Sequence, residues 1–339
     1  MAEEFNNLPE GCIATILSLT SPRDACRLSL VSSTFQSAAE SDAVWHKFLP
    51  SDFHTLLSQY PSSSFPSKKH LYLHLCQNPL LIDNGKKSFQ LDKVYGKKCY
   101  MLSARTLFIV WGDTPRYWAW TSLPDARFSE VAELVSVCWL EIRGWINTGM
   151  LSPKTLYGAY LVFRPSPSGI YGFDYQSVEV SIRIAGGEVS KRIVYLDAER
   201  GRRLRYQIVP RRIFNRARFL TSVEAPLAEH NSNNNCNNNR NNNSFDFQYP
   251  NINNNNRNNN SFDFQYPNIN DNNRNNNSFD LQYPKERGDG WMEVELGDFF
   301  NDGEDDKEVE MGACEIKSGD WKGGLVLQGI EIRPKTVRH

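Results

Sequence analysis

The densest run of residues able to do chemistry is Phe108-Ile109-Val110-Trp111-Gly112-Asp113-Thr114-Pro115-Arg116-Tyr117-Trp118-Ala119-Trp120. Gly112 to Pro115 has turn composition, so Trp111 and Trp118 flank a loop and could face each other across it. Indole rings suit stacking on the apolar face of a sugar ring, whose hydroxyls then go to nearby carboxylates and amides. The same rings also fill sandwich cores. Strand alternation puts Trp118 and Trp120 on one side and Tyr117 on the other, so at least one of these aromatics is structural.

Catalytic signatures are sparse by comparison. His70 and His74 stand at i and i+4, where two imidazoles can share a metal, but the glutamate of a His-Glu-x-x-His site is missing and no third ligand is apparent. A structural role is expected for both, and no cofactor or metal. No Gly-rich phosphate loop, nucleophile-elbow serine or triad stands out. Eight arginines between Arg200 and Arg218 concentrate positive charge. Such a run fits the wet face of a sheet, with a nuclear-import signal or polyanion patch as the alternative.

A second group of residues, Leu8 to Pro50, offers binding by shape. Ile13, Ile16 and Leu17 fall at helical spacing, and Ser21-Pro22-Arg23-Asp24 supplies a hydroxyl N-cap, a proline at the first helical position and a carboxylate in the first turn. Leu28, Val31 and Phe35 form a second stripe; a third turn starting near Ser41-Asp42 carries Val44, Trp45 and Phe48. Two or three helices in so few residues cannot bury a core alone. Their apolar faces therefore read as a docking surface that another chain covers, the alternative being that these helices cap the β domain of the same chain.

The elements behind the aromatic run are β. Val178, Val180, Ile182 and Ile184 alternate with polar residues, and similar runs occur at Tyr160 to Phe163, Arg192 to Leu196, Met292 to Leu296 and Leu325 to Ile332. Many short strands between Gly, Pro and Asn turns predict an antiparallel β-sandwich from about residue 88, with one helix intruding near Glu130 to Val135. Residues 51 to 87 read as a linker with docked helices, divided by Pro61-Ser62-Ser63-Ser64-Phe65-Pro66. From 221 to 287 the chain is Asn-rich; Arg-Asn-Asn-Asn-Ser-Phe-Asp recurs from Arg240, Arg257 and Arg274 and runs on each time into Gln-Tyr-Pro. Such polar repeats bury too little apolar area to offset their ordering entropy, so this stretch is expected to be a disordered expansion of one loop. Its spaced aromatics, Phe245, Tyr249, Phe262, Tyr266, Phe279 and Tyr283, are the alternative, as contacts for assembly.

Composition narrows the class. A net charge of -1 gives no electrostatic footprint for nucleic acid or an anionic membrane. No apolar stretch is long enough to span a bilayer, and Met1-Ala2-Glu3-Glu4 is acidic where a signal peptide is basic. Seven scattered cysteines without a Cys-x-x-Cys pair read as reduced thiols. The expected setting is the cytoplasm, the nucleus or both.

Two resemblances extend these readings. Leu-Pro, Ile-Leu-Ser, Ser-Pro-Arg-Asp, Cys-Arg, Val-Ser and Ser-Asp-Ala-Val-Trp across Leu8 to Pro50 resemble the F-box of plant phloem-lectin proteins. That resemblance implies binding to a Skp-type adaptor, and through it to a cullin-based ubiquitin ligase, by Leu8, Pro9, Ile16, Leu17, Leu28, Val31 and Trp45. From about Lys98 to Phe219 and Trp291 to Pro334 the chain is similar to the phloem protein 2, or Nictaba-like, lectins. The similarity is carried by Trp-Gly-Asp-Thr-Pro-Arg-Tyr-Trp, the segment from Val131 through Trp139 to Glu141, Gly158-Ala159-Tyr160-Leu161-Val162-Phe163, Gly290-Trp291-Met292-Glu293 and Gly329-Ile330-Glu331-Ile332-Arg333-Pro334. It implies a jelly-roll-like sandwich that binds N-acetylglucosamine oligomers or N-glycan cores without hydrolysing them, through Trp111, Trp118, Glu308 and Glu315. Glu308 and Glu315 have opposite parity, so convergence on one sugar needs a bulge or loop at one of them. The chain would thus select substrates for ubiquitination and do no chemistry itself. A sandwich that binds protein instead of sugar, and a two-glutamate glycoside hydrolase, are the alternatives.

Overall fold

The structure is a computed structural model that describes residues 8–57, 65–173, 176–197 and 282–335. The arginine run from Arg200 to Arg218 and most of the Asn-rich stretch lie outside the described residues.

Among the described residues six helices come first: α1 Glu10–Ser18, α2 Pro22–Leu28, α3 Ser33–Glu40, α4 Asp42–Phe48, α5 Phe53–Leu57 and α6 Lys68–Gln77. Serine caps set most of the starts. The Ser21 hydroxyl accepts from the Asp24 amide at 3.1 Å and donates to the Asp24 carboxylate at 2.8 Å, with Pro22 at the first helical position as expected. Ser32, Ser41 and Ser67 accept amides in the same way. The Ser32 cap overturns one expectation: Leu28, Val31 and Phe35 do not share a helix, because α2 ends at Leu28 and α3 starts after Ser32. Apolar spacing across the break matched a helix by coincidence of period.

The interior of the helical unit is filled by Ile13, Leu17, Ala25, Ala38, Ala39, Val44 and Trp45. The Trp45 indole N–H donates to the Ala39 carbonyl at 2.7 Å. Its ring lies 5.1 Å from Tyr72 of α6, whose hydroxyl donates to the Asp92 carbonyl at 3.0 Å. Through Tyr72 and Leu75 the helices join the strands, and one apolar core runs from Ile13 to Ile332. The same chain therefore covers part of the surface that sequence reading left for a partner.

Fourteen strands follow among the described residues: β1 Leu80–Ile82, β2 Lys87–Leu91, β3 Lys98–Ser103, β4 Phe108–Ile109, β5 Trp118–Thr121, β6 Val131–Leu134, β7 Leu140–Asn147, β8 Thr155–Pro165, β9 Val178–Ile184, β10 Val189–Val194, β11 Lys285–Glu286, β12 Met292–Asn301, β13 Glu308–Glu315 and β14 Leu325–Pro334. Nine form one sheet in the order β1-β2-β3-β14-β8-β12-β11, with β6 pairing β14 and β5 pairing β6. Five form the other, β10-β9-β13-β7-β4. Every named pair is antiparallel. The sheets close on Ile142, Ile146, Val180, Ile182 and Met311 from the smaller and Leu161, Phe163, Leu296, Ile330 and Ile332 from the larger. A fold of N-terminal helices followed by an antiparallel β-sandwich is thus present.

Three local readings change. Glu130 to Val135 contains strand β6, not a helix: Val131, Ala132 and Leu134 are buried and pair with β5 and β14. Ala132, Glu133 and Leu134 are good helix formers, but so short a segment goes where neighbouring edges offer hydrogen bonds, and tertiary context overrides propensity. The strands begin at Leu80, ahead of the shift in composition near residue 88. The Asn-rich boundary at 287 is also too late, since Lys285–Glu286 pairs with β12 and Tyr283, in the third repeat, stacks on Tyr195 at 5.5 Å.

Candidate binding surfaces

The four residues expected to meet a sugar do not converge. Trp111 holds a left-handed backbone, φ 58°, is 40% exposed, and lies with its ring 5.0 Å from that of Tyr117. Trp118 is 2% exposed, and its indole N–H donates to the Val110 carbonyl at 3.2 Å. Trp120 likewise donates to the Gly112 carbonyl at 2.9 Å, under the Arg105 guanidinium at 3.6 Å. The alternation reading was right about parity: Trp118 and Trp120 share a side, and both tie down the turn that presents Trp111.

Glu308 and Glu315 are the first and last residues of β13, opposite Asn147 and Leu140 of β7. Seven steps at about 3.3 Å each separate them by about 23 Å, with no register break between. Glu308 is exposed, whereas Glu315 is 6% exposed. One Glu315 oxygen accepts the Lys317 and Ser318 amides at 3.2 and 3.0 Å; the other accepts the Ser318 hydroxyl at 3.1 Å and pairs with Lys322 at 2.5 Å. A carboxylate has about four acceptor positions, and all are taken. Burial would raise this carboxyl, but Lys322 and the Ser318 amide hold it below the ordinary range.

Sequence reasoning gave no role to the outer face of the five-stranded sheet, although Trp139 and Glu141 lie in a segment that carries the lectin resemblance. Leu140 to Asn147 alternates buried and outward residues, and Glu141, Arg143 and Trp145 point outward. Trp139, two residues before Glu141, donates its indole N–H to one Glu141 oxygen at 3.1 Å, and Arg143 donates to the other at 2.8 Å. Arg143 also reaches Glu310 of β13 at 2.6 Å, and Arg183 of β9 pairs with Glu310 from the far side. Trp139, Trp145 and Phe108 are 43%, 36% and 51% exposed. Phe108 stands opposite Arg143 across the β4–β7 pair, and Gly312 stands opposite it on β13. The strict alternation of LEIRGWIN was the signal available beforehand.

The outer face of the larger sheet is closed instead. Trp291, 1% exposed, anchors a second apolar cluster with Met101, Phe128, Val131, Val162 and Val326. Glu331 is 2% exposed and receives Arg287 at 2.6 Å, Arg333 at 2.7 Å and Arg127 at 3.4 Å. A recess of about 630 Å³ lies beside these groups, among Pro165, Ile170, Leu196, Arg287 and Met292.

The helical unit divides the seven residues expected to face an adaptor. Leu17 and Trp45 are buried, Leu8 and Leu28 half-buried, and Pro9, Ile16 and Val31 exposed. Leu19 and Leu30, not singled out from sequence, are 82% and 86% exposed. A recess of about 320 Å³ beside Leu30 is lined by Pro22, Cys26, Trp45, Tyr72 and Leu73 together with Arg23, Arg27 and Lys93. No helix among the described residues is long and apolar enough to cross a membrane. His70 and His74 serve local contacts, to the Ser67 hydroxyl at 2.8 Å and the Asn78 amide at 3.1 Å.

Comparison with known proteins agrees with this two-part architecture. Residues 5–51 match the F-box-like family, and residues 97–334 match Phloem protein 2. Three proteins of Arabidopsis thaliana are similar along nearly the whole chain. F-box protein At2g02240 is 40% identical over 97% of this chain and 80% of its own length. F-box protein PP2-B10 is 39% identical over 98% and 95%, and F-box protein VBF 39% over 97% and 99%. With its capped helices running into a two-sheet sandwich and both segments matched, the chain belongs to the phloem protein 2 family, in its F-box-bearing branch.

Proposed function

We propose that this protein is the substrate-recognition subunit of a cullin-based ubiquitin ligase. Its helical unit binds a Skp-type adaptor, and its sandwich holds a glycoprotein through N-acetylglucosamine-containing glycans. The observation that carries the adaptor half is the set Pro9, Ile16, Leu19, Leu30 and Val31, left exposed on a unit whose own interior is already filled. Large aliphatic groups gathered on such a small unit mark an interaction surface. Arg23, Arg27 and Lys93 beside Leu30 suit a partner with acidic residues at the rim of its apolar face. The chain then acts by holding a substrate lysine near the charged ubiquitin carrier, an effective-concentration effect that needs no catalytic side chain here. That work belongs in the cytoplasm or nucleus.

The test is capture of a purified Skp-type adaptor by the full chain. Ile16→Glu and Val31→Glu should each cut capture at least tenfold while leaving the thermal unfolding midpoint in place. Undiminished capture by both variants would sink the adaptor assignment. Truncating residues 1–50 is a poorer experiment, because it strips Leu17 and Trp45 from the shared core. The burial of Trp118 and the saturated Glu315 favour the second reading, a sandwich that binds protein alone. A glycan array on the intact chain separates the two.

A further inference from the structure

We infer that the open edge of the smaller sheet is a binding site for a Gln-Tyr-Pro segment. The third repeat, Gln282-Tyr283-Pro284, holds the seat in this structure, and the first and second repeats of the same chain, Gln248-Tyr249-Pro250 and Gln265-Tyr266-Pro267, are its alternative occupants. Strand β10 ends the smaller sheet and pairs with β9 on one side. On its other side Gln282 bridges to Val194 in parallel, and the Gln282 carbonyl accepts the Tyr195 amide at 3.0 Å. The Tyr283 ring stacks on Tyr195, with centroids 5.5 Å apart and planes 17° from parallel. Pro284 is buried, and Lys285–Glu286 then pairs with β12 of the larger sheet. An edge strand offers unpaired amides and carbonyls, and the third repeat takes them by strand addition.

The seat reads residues that all three repeats carry. Gln248, Gln265 and Gln282 are seventeen residues apart, and each begins a Gln-Tyr-Pro that follows Ser-Phe-Asp and one large apolar residue, Phe247, Phe264 or Leu281. A main-chain bond at the glutamine, a ring stack at the tyrosine and burial at the proline are open to any of the three. Side chains therefore give the edge no means of choosing among them.

Connectivity does the choosing. The third repeat runs straight into Lys285–Glu286 and so gains the pairing with β12, whereas the others run into Asn251 and Asn268, and asparagine is a poor strand residue. It is the resident for that reason. Chain length opposes the other two very little, because the entropy of closing the chain from Asp197 back to the seat changes only with the logarithm of its length. Each is tethered to the seat, so each meets it at a high effective concentration that a repeat from a second molecule lacks. When the third repeat leaves, one of the first two takes its place.

The test is photo-cross-linking in the full chain with p-benzoylphenylalanine in place of Tyr195. Arg240, Arg257, Arg274 and Lys285 let trypsin release the third repeat on a peptide that mass distinguishes from the first two. Cross-links should fall on the third repeat in the otherwise unmutated chain. Tyr283→Ala should move the ratio roughly tenfold toward the first two repeats, the scale of one stacked ring pair. Adding Tyr249→Ala and Tyr266→Ala should then remove those cross-links. In chains that keep Tyr195, the pair Tyr249→Ala and Tyr266→Ala should leave the melting midpoint in place, and Tyr283→Ala should lower it less than the triple variant does. Unchanged circular dichroism would show that the variants are folded. No cross-link to the first two repeats in Tyr283→Ala, or a midpoint as low as that of the triple variant, overturns the inference. Mixing nitrogen-15-labelled with unlabelled chains separates the sources: cross-links that join labelled to unlabelled peptides, in place of those within one chain, would give the seat to a second copy and overturn the assignment to the same chain.

Discussion

Lys322 Nζ lies 2.5 Å from Glu315 Oε2, and both side chains are buried. The ammonium also donates to the Cys138 and Asp320 carbonyls at 3.2 and 2.8 Å, which uses all three of its protons. Together they fasten the turn after β13 to the segment entering β7. Removing one partner of a buried pair leaves an uncompensated charge, so Lys322→Met should cost about 3–5 kcal/mol in urea unfolding. Adding Glu315→Leu removes the stranded charge and should recover part of that loss, since the Lys317 and Ser318 amides then lack their acceptor. A Lys322→Met protein as stable as the parent would show that the pair is not structural.

Glu331 gives the molecule an acid limit. Burial alone would raise its carboxyl, but the Arg287 hydrogen bond and the Arg127 and Arg333 charges hold it down at about 2, against an ordinary 4.5. A depressed carboxyl contributes stability that is full above the unfolded value and is lost as pH falls toward the folded one. Urea midpoints should therefore drop from about pH 4.5 to about pH 2, with other carboxylates adding their share. Glu331→Gln should be less stable near neutrality and show a shallower acid decline. Parallel pH profiles for the two proteins would contradict this.

Within the helical unit, inward and outward residues should part company under mutation. Trp45→Ala removes a sealed indole, its bond to Ala39 and its contact with Tyr72, and should cost about 3–5 kcal/mol. Val31→Glu, at 64% exposure, should stay within about 0.5 kcal/mol of the parent. Chemical denaturation of both variants is the check, and comparable losses would mean the outward set is packed in solution.

Gly324 should tolerate no side chain. Its φ is 76°, and a Cβ would fall 1.9 Å from the Gly169 carbonyl oxygen. Left-handed strain and overpacking each cost about 1–3 kcal/mol, so Gly324→Ala should lower stability by at least about 2 kcal/mol. Gly186, with φ 82° and open space around it, should lose less on the same change. Equal melting points for the two alanine variants would contradict the packing seen here.

Much of the architecture could be read along the chain because it was written in period and punctuation. The Ser21-Pro22 cap and the alternation of Val178 to Ile184 are local, and both are present as read. What failed depended on distant neighbours. Val131 to Leu134 became a strand because β5 and β14 flank it. Trp118 could be assigned a side but not a depth, since burial is decided by the residues packed over that side. Glu315 looked like a free acid until the turn that folds back supplied Lys322, Ser318 and the Lys317 amide. Trp145 went unnoticed because one outward indole in an alternating strand is unremarkable until its row is seen.

The unbroken core from Ile13 to Ile332 has one more consequence. A receptor whose two ends were strung on a slack tether could sweep its cargo through a wide volume and let almost any lysine be reached. Here Tyr72 joins the two ends, so a cargo held on the sandwich, as proposed above, would be presented at a fixed stand-off and angle. Under that proposal, which lysine is modified would be a matter of where the cargo's own surface lies, set by geometry before any enzyme arrives.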